Sequence, residues 1–503
     1  MQIATKEFLT DFESLCDKRK QEIRETKDID PHVICGSIYY VSNDGCDDND
    51  GKTPETPWKT IEKVTNTKLF PGDCVRFRRG DVFRGGTVAC QAGVTYTAYG
   101  EGEKPCFYGW KKSLADPRLW VCVDEEYHIW KYLDQIPDCG TLVFNDGECC
   151  SRKLIPSYIR GRFMCRNDES KSFVMAREMT QDLDIFCYFV GNQYLASSAP
   201  NAFPVPNMYK GCDGDLYLRC DKGNPGEVYR EIEPIPRSVC FNANGNPHVH
   251  IDNLCMKYNN FAVVSGHPHV MSLHVTNCEI GWIGGCIQSY TGDDPNFPEG
   301  TYGSVTRFGN GIEVYGGCDD FLVSNCFVYQ VYDAGMSHQV STAGRRYVMR
   351  NIKYLNNVIE KCVYGIEYFL DKNYGGEDSY MEDIQMSGNI IYDSGYGWGQ
   401  QRHNTHTPAH IKGWSYANTA SNYRIHDNIM GRAAYRMVHL VAKEKESCPK
   451  MRGNTYIQDV GATLGQYGSN EVREPENLPF DEHAKENIIN IFGEKDPAVY
   501  YIP

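Results

Sequence analysis

The chain is 503 residues long and carries a formal net charge of −15 at pH 7. This acidity argues against nucleic acid or an anionic membrane as the main partner, because both bind basic surfaces, and it makes a neutral or weakly charged substrate more natural. No stretch of about 18 apolar residues is present that could span a membrane. An apolar content of 41%, together with 34 tyrosines and 47 glycines, indicates a turn-rich β protein.

The N-terminal segment, residues 1–35, is predicted to form a helix that covers the open end of a solenoid, where strand edges would otherwise stay unpaired. It is charged and amphipathic, and it lacks the apolar core that a signal peptide needs. The 22 cysteines are dispersed and form no Cys-x-x-Cys pair, so we expect free thiols rather than disulfides or a zinc site. Both observations predict a cytoplasmic protein.

Residues 36–111 are predicted to form the first coils of the solenoid. Four motifs mark this segment: YYVSNDG at 39–45, NDG at 49–51, PWKTI at 57–61 and FPGDCVRF at 70–77. Together they resemble the opening segment of right-handed parallel β-helix proteins that act on carbohydrates. The resemblance implies a first strand, a cap helix and a first complete coil, in that order.

Residues 112–235 interrupt the rhythm with scattered strands and a proline-rich stretch, and we expect an inserted β-sandwich-like module here. The module ends with Asn224-Pro225 and Ile232-Glu233, after which the solenoid resumes. An opening motif followed by such an insert is similar to the layout of the β-xylosidases of glycoside hydrolase family 120 and their β-helix relatives. The resemblance implies this architecture and an oligosaccharide substrate.

Residues 236–466 carry a repeat in which an Asn ends one short β-type run and a Gly opens the next, as in Asn325 to Gly335 and Asn357 to Gly365. Intervals between Asn positions include 24, 32 and 39 residues (277 − 253, 357 − 325 and 428 − 389). This period with strand and turn content indicates a solenoid. The predicted fold is therefore all-β, a right-handed parallel β-helix of the pectate-lyase type, followed by a C-terminal tail over 467–503.

Two outward glutamates are the leading candidates for chemistry, because side chains alternate between the two faces of a strand. Glu367 is predicted in one outer column, whereas Glu313 and Lys412 are predicted in a second column from the following strand of each coil. Coils stack about 4.8 Å apart. Glu313 and Glu367 should lie about two coils apart, or roughly 9–10 Å, with Asp333 and His338 on the coil between them.

This arrangement suits glycoside hydrolysis, in which one carboxylic acid protonates the leaving oxygen and a second carboxylate acts as nucleophile or activates water. The candidate catalytic residues are Glu313, Asp333, Glu367 and Asp371. Separations of about 5–5.5 Å indicate retention of configuration and about 6.5–9.5 Å indicate inversion. Pairing Glu313 with Glu367 favours inversion, whereas pairing Asp333 or Asp371 with Glu367 could give the shorter distance, so both outcomes stay open.

Aromatic faces and forked hydrogen-bond donors accompany these carboxylates, as sugar-binding sites require. The residues expected to bind substrate are His338, Tyr368, Gln401, Arg402, His410, Lys412 and Trp414. The favoured hypothesis is a cytoplasmic glycoside hydrolase that acts on oligosaccharides and would be exo-acting on short ones.

Two other functions fit the same residues. A polysaccharide lyase would use Lys412, Arg402 or His338 as base or charge neutraliser and would need a locally basic cleft for an anionic sugar. A non-catalytic carbohydrate-binding β-helix would show no turnover. No cofactor is expected. The acidic turn at 44–50 could hold Ca²⁺ through carboxylate oxygens, but a solvated turn is the simpler interpretation.

Overall fold

A computed structural model describes residues 2–126, 128–154, 156–159, 162–166, 173–175, 185–190, 215–266, 269–290, 305–340, 346–370, 378–401 and 407–503. Most of its strands fall into three long sheets, A, B and C, in which neighbouring strands run parallel except for Leu478–Pro479, which pairs antiparallel with Thr463–Ser469. Each coil contributes one strand to sheet B, one to sheet A and one to sheet C. The predicted parallel β-helix with an inserted β-rich unit and an N-terminal helix is confirmed.

Each of the three sheets draws its strands from the whole length of the chain. Sheet A contains Gln2–Ile3, Val82–Arg84, Cys106–Tyr108, Cys255–Asn259, Glu279–Ile283, Phe327–Val331, Val358–Glu360, Ile390–Tyr392, Ile429–Met430, Thr455–Asp459 and Ala498–Ile502. Sheet B contains Ile38–Val41, Cys74–Arg78, Thr95–Tyr99, Val249–Asp252, Val270–Thr276, Cys318–Ser324, Val348–Leu355, Tyr380–Ser387, Ala420–His426 and Lys450–Arg452. Sheet C contains Val88–Ala89, Val239–Asn242, Phe261–Ser265, Ile312–Tyr315, Ala334–Val340, Tyr364–Leu370, Ala409–Gly413, Arg436–Ala442, Thr463–Ser469 and Leu478–Pro479.

The remaining elements lie outside these sheets. The helices are α1 (Lys6–Arg24), α2 (Ile61–Asn66), α3 (Pro225–Val228) and α4 (Ala484–Asn490), with 3-10 turns at Pro31–Val33, Pro117–Leu119, Asn145–Gly147, Trp398–Gln401 and Lys445–Ser447. The insert holds a five-stranded sheet of Trp120–Asp124, Ile129–Tyr132, Arg152–Leu154, Ile185–Val190 and Asp215–Cys220. Smaller sheets consist of Cys139–Phe144, Cys149–Cys150 and Ile232–Pro236, of Pro156–Ile159, Arg162–Arg166 and Phe173–Met175, and of the hairpin Cys286–Tyr290 with Val305–Phe308.

The core is a stack of inward side chains that repeats from coil to coil. In sheet C, Ile312, Met336, Ile366, Ile411 and Val438 lie in register and are fully buried. Cysteines fill similar interior positions, and those at 278, 318, 326 and 362 are buried free thiols. Because alternate residues of a strand face opposite sides, this apolar stack fixes which residues of sheet C face outwards.

Glycines open the strands of sheet C for a steric reason. A Cβ placed on Gly365 would lie 2.5 Å from the carbonyl oxygen of His410 in the next coil, and a Cβ on Gly311 would lie 2.4 Å from the carbonyl oxygen of Gly335. Only glycine allows the coils to approach so closely at this bend. The Asn-to-Gly repeat in the sequence therefore reflects the contact between successive coils.

A ladder of buried asparagines ties the later coils together. The Nδ2 groups of Asn357, Asn389 and Asn428 each donate to Oδ1 of the next asparagine at 2.8–2.9 Å, ending at Asn454. Asn454 in turn donates to Glu494 Oε1 at 2.9 Å. The Oδ1 atoms of Asn389, Asn428 and Asn454 each accept a backbone N–H as well, so the side-chain amides have hydrogen-bond partners within the core.

Helix α2 covers the first coil, because its Ile61 and Val64 are buried in the main core. At the other end, Ala484 and Ile488 of α4 enter the same core. Helix α1 was predicted to cover the open end and instead lies lengthwise along the outer face of sheet A. Its contacts reach from the last coils back to an early one: Phe8 with Tyr500, Lys20 with Glu360 and Arg24 with Glu279. None of the described helices is long and apolar enough to cross a membrane.

Buried charges fasten the insert to the solenoid. Arg84 makes two hydrogen bonds of 2.8 and 2.9 Å to Glu233, which is 1% exposed. Arg307, in the hairpin that directly precedes the strand of Glu313, is fully buried and donates to the carbonyl of Gly140 at 2.9 Å. The insert is thereby held against the coils that carry the outward glutamates.

We expect Asn389→Ala to lower the free energy of unfolding by about 3 kcal/mol, because it leaves buried partners on two neighbouring coils without their hydrogen bonds. Denaturant unfolding followed by circular dichroism measures the change. Asn66→Ala, at an exposed position at the end of α2, is the matched control. Equal stabilities of the two variants would contradict a structural role for the ladder.

Candidate active site

One outward row of sheet C brings the leading candidates together. Glu313 is paired in register with Ser337, Ser337 with Glu367, and Glu367 with Lys412. Glu313 and Glu367 are two coils apart, as predicted, which corresponds to about 9–10 Å along the solenoid. The prediction of two separate columns is wrong: the four residues form a single row, because the strands that carry them belong to the same sheet.

Neutral donors surround the Glu313 carboxylate, which is 7% exposed. Asn310 Nδ2 donates to Glu313 Oε2 at 2.5 Å and lies 3.4 Å from Ser337 Oγ. The amide of Asn310 is fixed in turn, because its Oδ1 accepts the backbone N–H of Ala334 at 2.9 Å. Gln339 donates to Ser337 Oγ at 3.3 Å on the same side. Asn310 was not anticipated from the sequence, although its place three residues before Glu313 in a glycine-flanked turn was a usable signal.

Burial raises the pKa of Glu313 to about 7. The hydrogen bond from Asn310 works against this rise, whereas the negative charge of nearby Asp333 adds to it. Near neutral pH a large share of Glu313 is therefore protonated. A protonated carboxyl group on an outward row is the form that can donate a proton to a leaving group.

Glu367 has a different environment. It is 5% exposed, and the indole N–H of Trp414 donates to its Oε1. Lys412 lies one coil further along the row, with Nζ 4.0 Å from the centroid of the Trp414 ring and 5.9 Å from that of Tyr364. The neighbours of this carboxylate are an indole N–H donor and a cation on the next coil, whereas an amide and the charge of Asp333 act on Glu313. The two glutamates of the row are thus differentiated by their neighbours.

Asp333 lies between them. It is 8% exposed and precedes the strand that carries Ser337, and its carbonyl accepts the backbone N–H of Tyr364 at 3.0 Å, which links it to the strand of Glu367. Its charge acts on Glu313. The structure therefore brings together Glu313, Asp333, Glu367, Lys412 and Trp414 from the predicted set.

Two predicted substrate-binding residues lie inside the coil, which corrects their assignment. His338 is fully buried and stacks on Tyr368 with ring centroids 5.6 Å apart, and its Nδ1 lies 2.9 Å from the hydroxyl of Tyr354. Burial lowers the pKa of His338 to about 3. Both side chains alternate with the outward residues Ser337 and Glu367 and therefore belong to the core, out of reach of a substrate.

Two other predicted substrate-binding residues, Gln401 and His410, make contacts within the protein. Gln401 accepts the backbone N–H of Lys153 at 3.1 Å and donates to the carbonyl of Ser151 at 3.0 Å, which joins the solenoid to the insert. His410 is fully buried, with Nδ1 2.8 Å from Ser394 Oγ, and burial lowers its pKa to about 3. Asp371 and Arg402 lie outside the described residues.

The carboxylates of the acidic turn that was considered for Ca²⁺ accept hydrogen bonds from neighbouring residues of the protein. Asp47 accepts backbone N–H groups of Lys59 and Thr60 at 2.8 and 3.0 Å, and Asp50 accepts the hydroxyl of Thr56 at 2.8 Å. Within the described part of the chain, no group of three or more His, Cys, Asp or Glu side chains is arranged to hold a metal ion.

Comparison with known proteins gives structural similarities only. No protein family and no curated protein matches the chain. A structure of XylC in complex with xylose has 12% identity and a TM-score of 0.45, over 92% of this chain and 82% of that chain. A GH136 lacto-N-biosidase from Eubacterium ramulus has 12% identity and a TM-score of 0.34, over 99% and 71%. A polygalacturonase from Erwinia carotovora ssp. carotovora has 10% identity and a TM-score of 0.34, over 95% and 98%. Such identities do not transfer a reaction, so the chemistry has to come from the residues of this chain.

The raised pKa of Glu313 should make stability depend on pH. Its pKa is about 7 in the folded protein against an ordinary value of 4.5, so ionisation opposes folding. This penalty is absent below about pH 4.5, grows as the pH rises and is complete above about pH 7. Relative to Glu313→Gln, the wild-type free energy of unfolding should fall by roughly 3 kcal/mol across this range.

Denaturant unfolding of both proteins at about pH 4 and pH 8 tests this, with Glu382→Gln on sheet B as the control. A wild-type protein and a Glu313→Gln variant whose stabilities change in parallel with pH would show that Glu313 ionises normally. Asp333→Asn should reduce the difference, because it removes the charge that adds to the rise.

Proposed function

We propose that the protein is a glycoside hydrolase that cleaves oligosaccharides with inversion of configuration. Glu313 is the general acid and Glu367 is the general base. The observation that carries this proposal is the contrast along one row: a buried Glu313 with a pKa of about 7, and two coils away a Glu367 that accepts an indole N–H beside a lysine. Paired carboxylates with opposite preferences for the proton are the requirement of this chemistry.

The proposed step involves two proton transfers, one to Glu367 and one from Glu313. Glu367 removes a proton from a water molecule as the water oxygen attacks the anomeric carbon, while Glu313 gives its proton to the departing glycosidic oxygen. The spacing of about two coils, near the upper end of the inverting range, leaves room for the water. Asp333 acts on Glu313 rather than on the sugar, since its negative charge favours the protonated acid at neutral pH.

Trp414 and Lys412 are the proposed substrate-binding residues. The indole ring offers an apolar face for a sugar, and its N–H holds Glu367. The ammonium group of Lys412 lies over that ring and can donate to sugar oxygens. Short oligosaccharides are the proposed substrates, as the similarity of the sequence layout to family 120 β-xylosidases implies. Neither carboxylate role requires a cofactor, and a cytoplasmic location stays a prediction.

A lyase is less well supported. Of the bases considered for it, His338 lies in the interior of the coil and Arg402 lies outside the described residues, which leaves Lys412. A lyase also has no use for a protonated Glu313 next to a second acid. The two reactions differ in their products, because a lyase creates an unsaturated sugar that absorbs ultraviolet light.

Glu313→Gln and Glu367→Gln should each lower kcat by about 10²–10⁴-fold, because each removes one proton-transfer group. Purified protein is incubated with aryl glycosides and neutral oligosaccharides, and released sugar and ultraviolet absorbance are followed together. Nuclear magnetic resonance of the first product should show inversion at the anomeric carbon. The wild-type rate should fall as the pH rises above about 7, where Glu313 loses its proton.

Glu382→Gln, on the outer face of sheet B, is the control and should retain full activity. Sugar release that survives in both active-site variants would refute the assigned pair. Retention of configuration would instead assign a nucleophile to the site and exclude the water-activating role of Glu367. Absorbance without sugar release would identify a lyase.

A further inference from the structure

The row that carries the two glutamates does not end at Lys412. Lys412 is paired in register with His439, and His439 with Gln466. His439 and Gln466 are 7% and 6% exposed, so each is nearly enclosed while retaining some contact with solvent. They lie two and three coils beyond Glu367, or about 10 and 14 Å along the solenoid. Neither was among the residues anticipated from the sequence.

A buried arginine determines the hydrogen-bonding state of His439. Arg436 is fully buried, and its guanidinium group contacts His439 Nδ1. Arginine carries donors and no acceptor, so Nδ1 must accept and the single ring proton must reside on Nε2. Nε2 makes no hydrogen bond to any residue that the structure describes. His439 therefore presents an unused N–H donor on the outer row.

The imidazole ring of His439 is neutral near neutral pH. Burial lowers the pKa of His439 to about 2, and the charges of Lys412 and Arg436 add to the effect. The carboxylate that contacts Arg436 is that of Glu476, whose Oε1 lies 2.9 Å from the guanidinium group. Glu476 balances the charge of Arg436 and leaves the ring of His439 neutral.

Gln466 supplies a hydrogen-bond acceptor, which complements the donor of His439. Its Nε2 donates to the hydroxyl of Tyr416 at 3.0 Å and to the carbonyl of Glu474 at 2.8 Å. Both amide protons are used, so Oε1 remains as an acceptor that has no hydrogen bond to a described residue. A donor on one coil and an acceptor on the next suit hydroxyl groups, which both accept and donate, better than they suit a carboxylate, which only accepts.

We propose that His439 and Gln466 form a further subsite for a neutral sugar unit on the same outward row, and that Arg436 is the positioning residue that holds His439 as an Nε2–H donor. This subsite rests on the proposed glycosidase function and extends it to oligosaccharides long enough to reach from the Glu313–Glu367 pair to His439. Shorter substrates would be cleaved without touching it.

The tautomer is tested first, independently of turnover. In protein labelled with ¹⁵N-histidine, the His439 signals are identified by their loss in His439→Gln. We expect an unprotonated Nδ1 and a protonated Nε2 that stay unchanged between about pH 5 and pH 8. In Arg436→Met this fixed pattern should be lost. A His439 that titrates in that range, or that carries its proton on Nδ1, would overturn the proposal.

Sugar binding is tested next on Glu313→Gln, which keeps the rest of the outward row and lacks the acid. Xylotriose, cellotriose and maltotriose are added, and the His439 Nε2–H resonance is followed, with trigalacturonate as the anionic comparison. At least one neutral trisaccharide should shift the signal and trigalacturonate should not. A shift with trigalacturonate alone would overturn the neutral-sugar assignment.

Kinetics then measure the contribution of the donor. His439→Leu should lower kcat/KM about tenfold for oligosaccharides that reach the subsite, mainly through KM, and should leave short aryl glycosides unaffected. His439→Gln restores a donor and should recover part of the loss, and His32→Leu, in an exposed turn, is the control. Equal losses for short and long substrates would indicate a merely structural histidine.

These outcomes separate the two proposals. Active hydrolysis with a His439 signal that no sugar shifts would refute the subsite and leave the hydrolase intact. A fixed tautomer that responds to neutral trisaccharides in a protein without turnover on any glycoside would support the subsite and refute the hydrolase.

Discussion

In-register hydrogen bonding between successive coils is the constraint from which the other properties of this protein follow. Each strand of sheet C lies directly over the strand of the preceding coil, so a side chain is placed by its coil and by its parity in the strand. Inward positions build one continuous apolar stack, and outward positions build one row. A row assembled in this way needs no loop to position its side chains, because the backbone spacing already sets how far apart Glu313 and Glu367 lie along the solenoid.

Chemical differences along that row come from the residues around each side chain rather than from residue type. Glu313 and Glu367 have the same side chain, yet one is enclosed by amides beside an aspartate and the other accepts an indole N–H next to a lysine. The insert contributes indirectly. Arg307 ties it to the hairpin that precedes the strand of Glu313, so a module far away in sequence is fixed next to the coil that carries this acid.

The sequence allowed the fold and the spacing of the glutamates to be predicted, because the Asn-to-Gly period and strand alternation are local properties. The predictions were wrong where a residue was assigned to the site by its type rather than by its position in the strand. Alternation from Ser337 and Glu367 already places His338 and Tyr368 inside, but a histidine and a tyrosine look suitable for a sugar site. The insert partners of Gln401 lie about 250 residues away and leave no local trace. The continuation of the row to His439 and Gln466 was missed because these coils carry no conspicuous motif.

The first strand of the chain, Gln2–Ile3, pairs with Ala498–Ile502 in sheet A, and α1 is laid across the strands between. Solenoids in which each repeat touches only its neighbours can nucleate anywhere and lengthen coil by coil during synthesis. Here Gln2 pairs with Tyr500, so this contact joins residues that lie almost 500 positions apart in the sequence. Pairing of this first strand is therefore a contact of very high sequence separation, and forming it carries a larger loop-closure entropy cost than stacking one coil on the next.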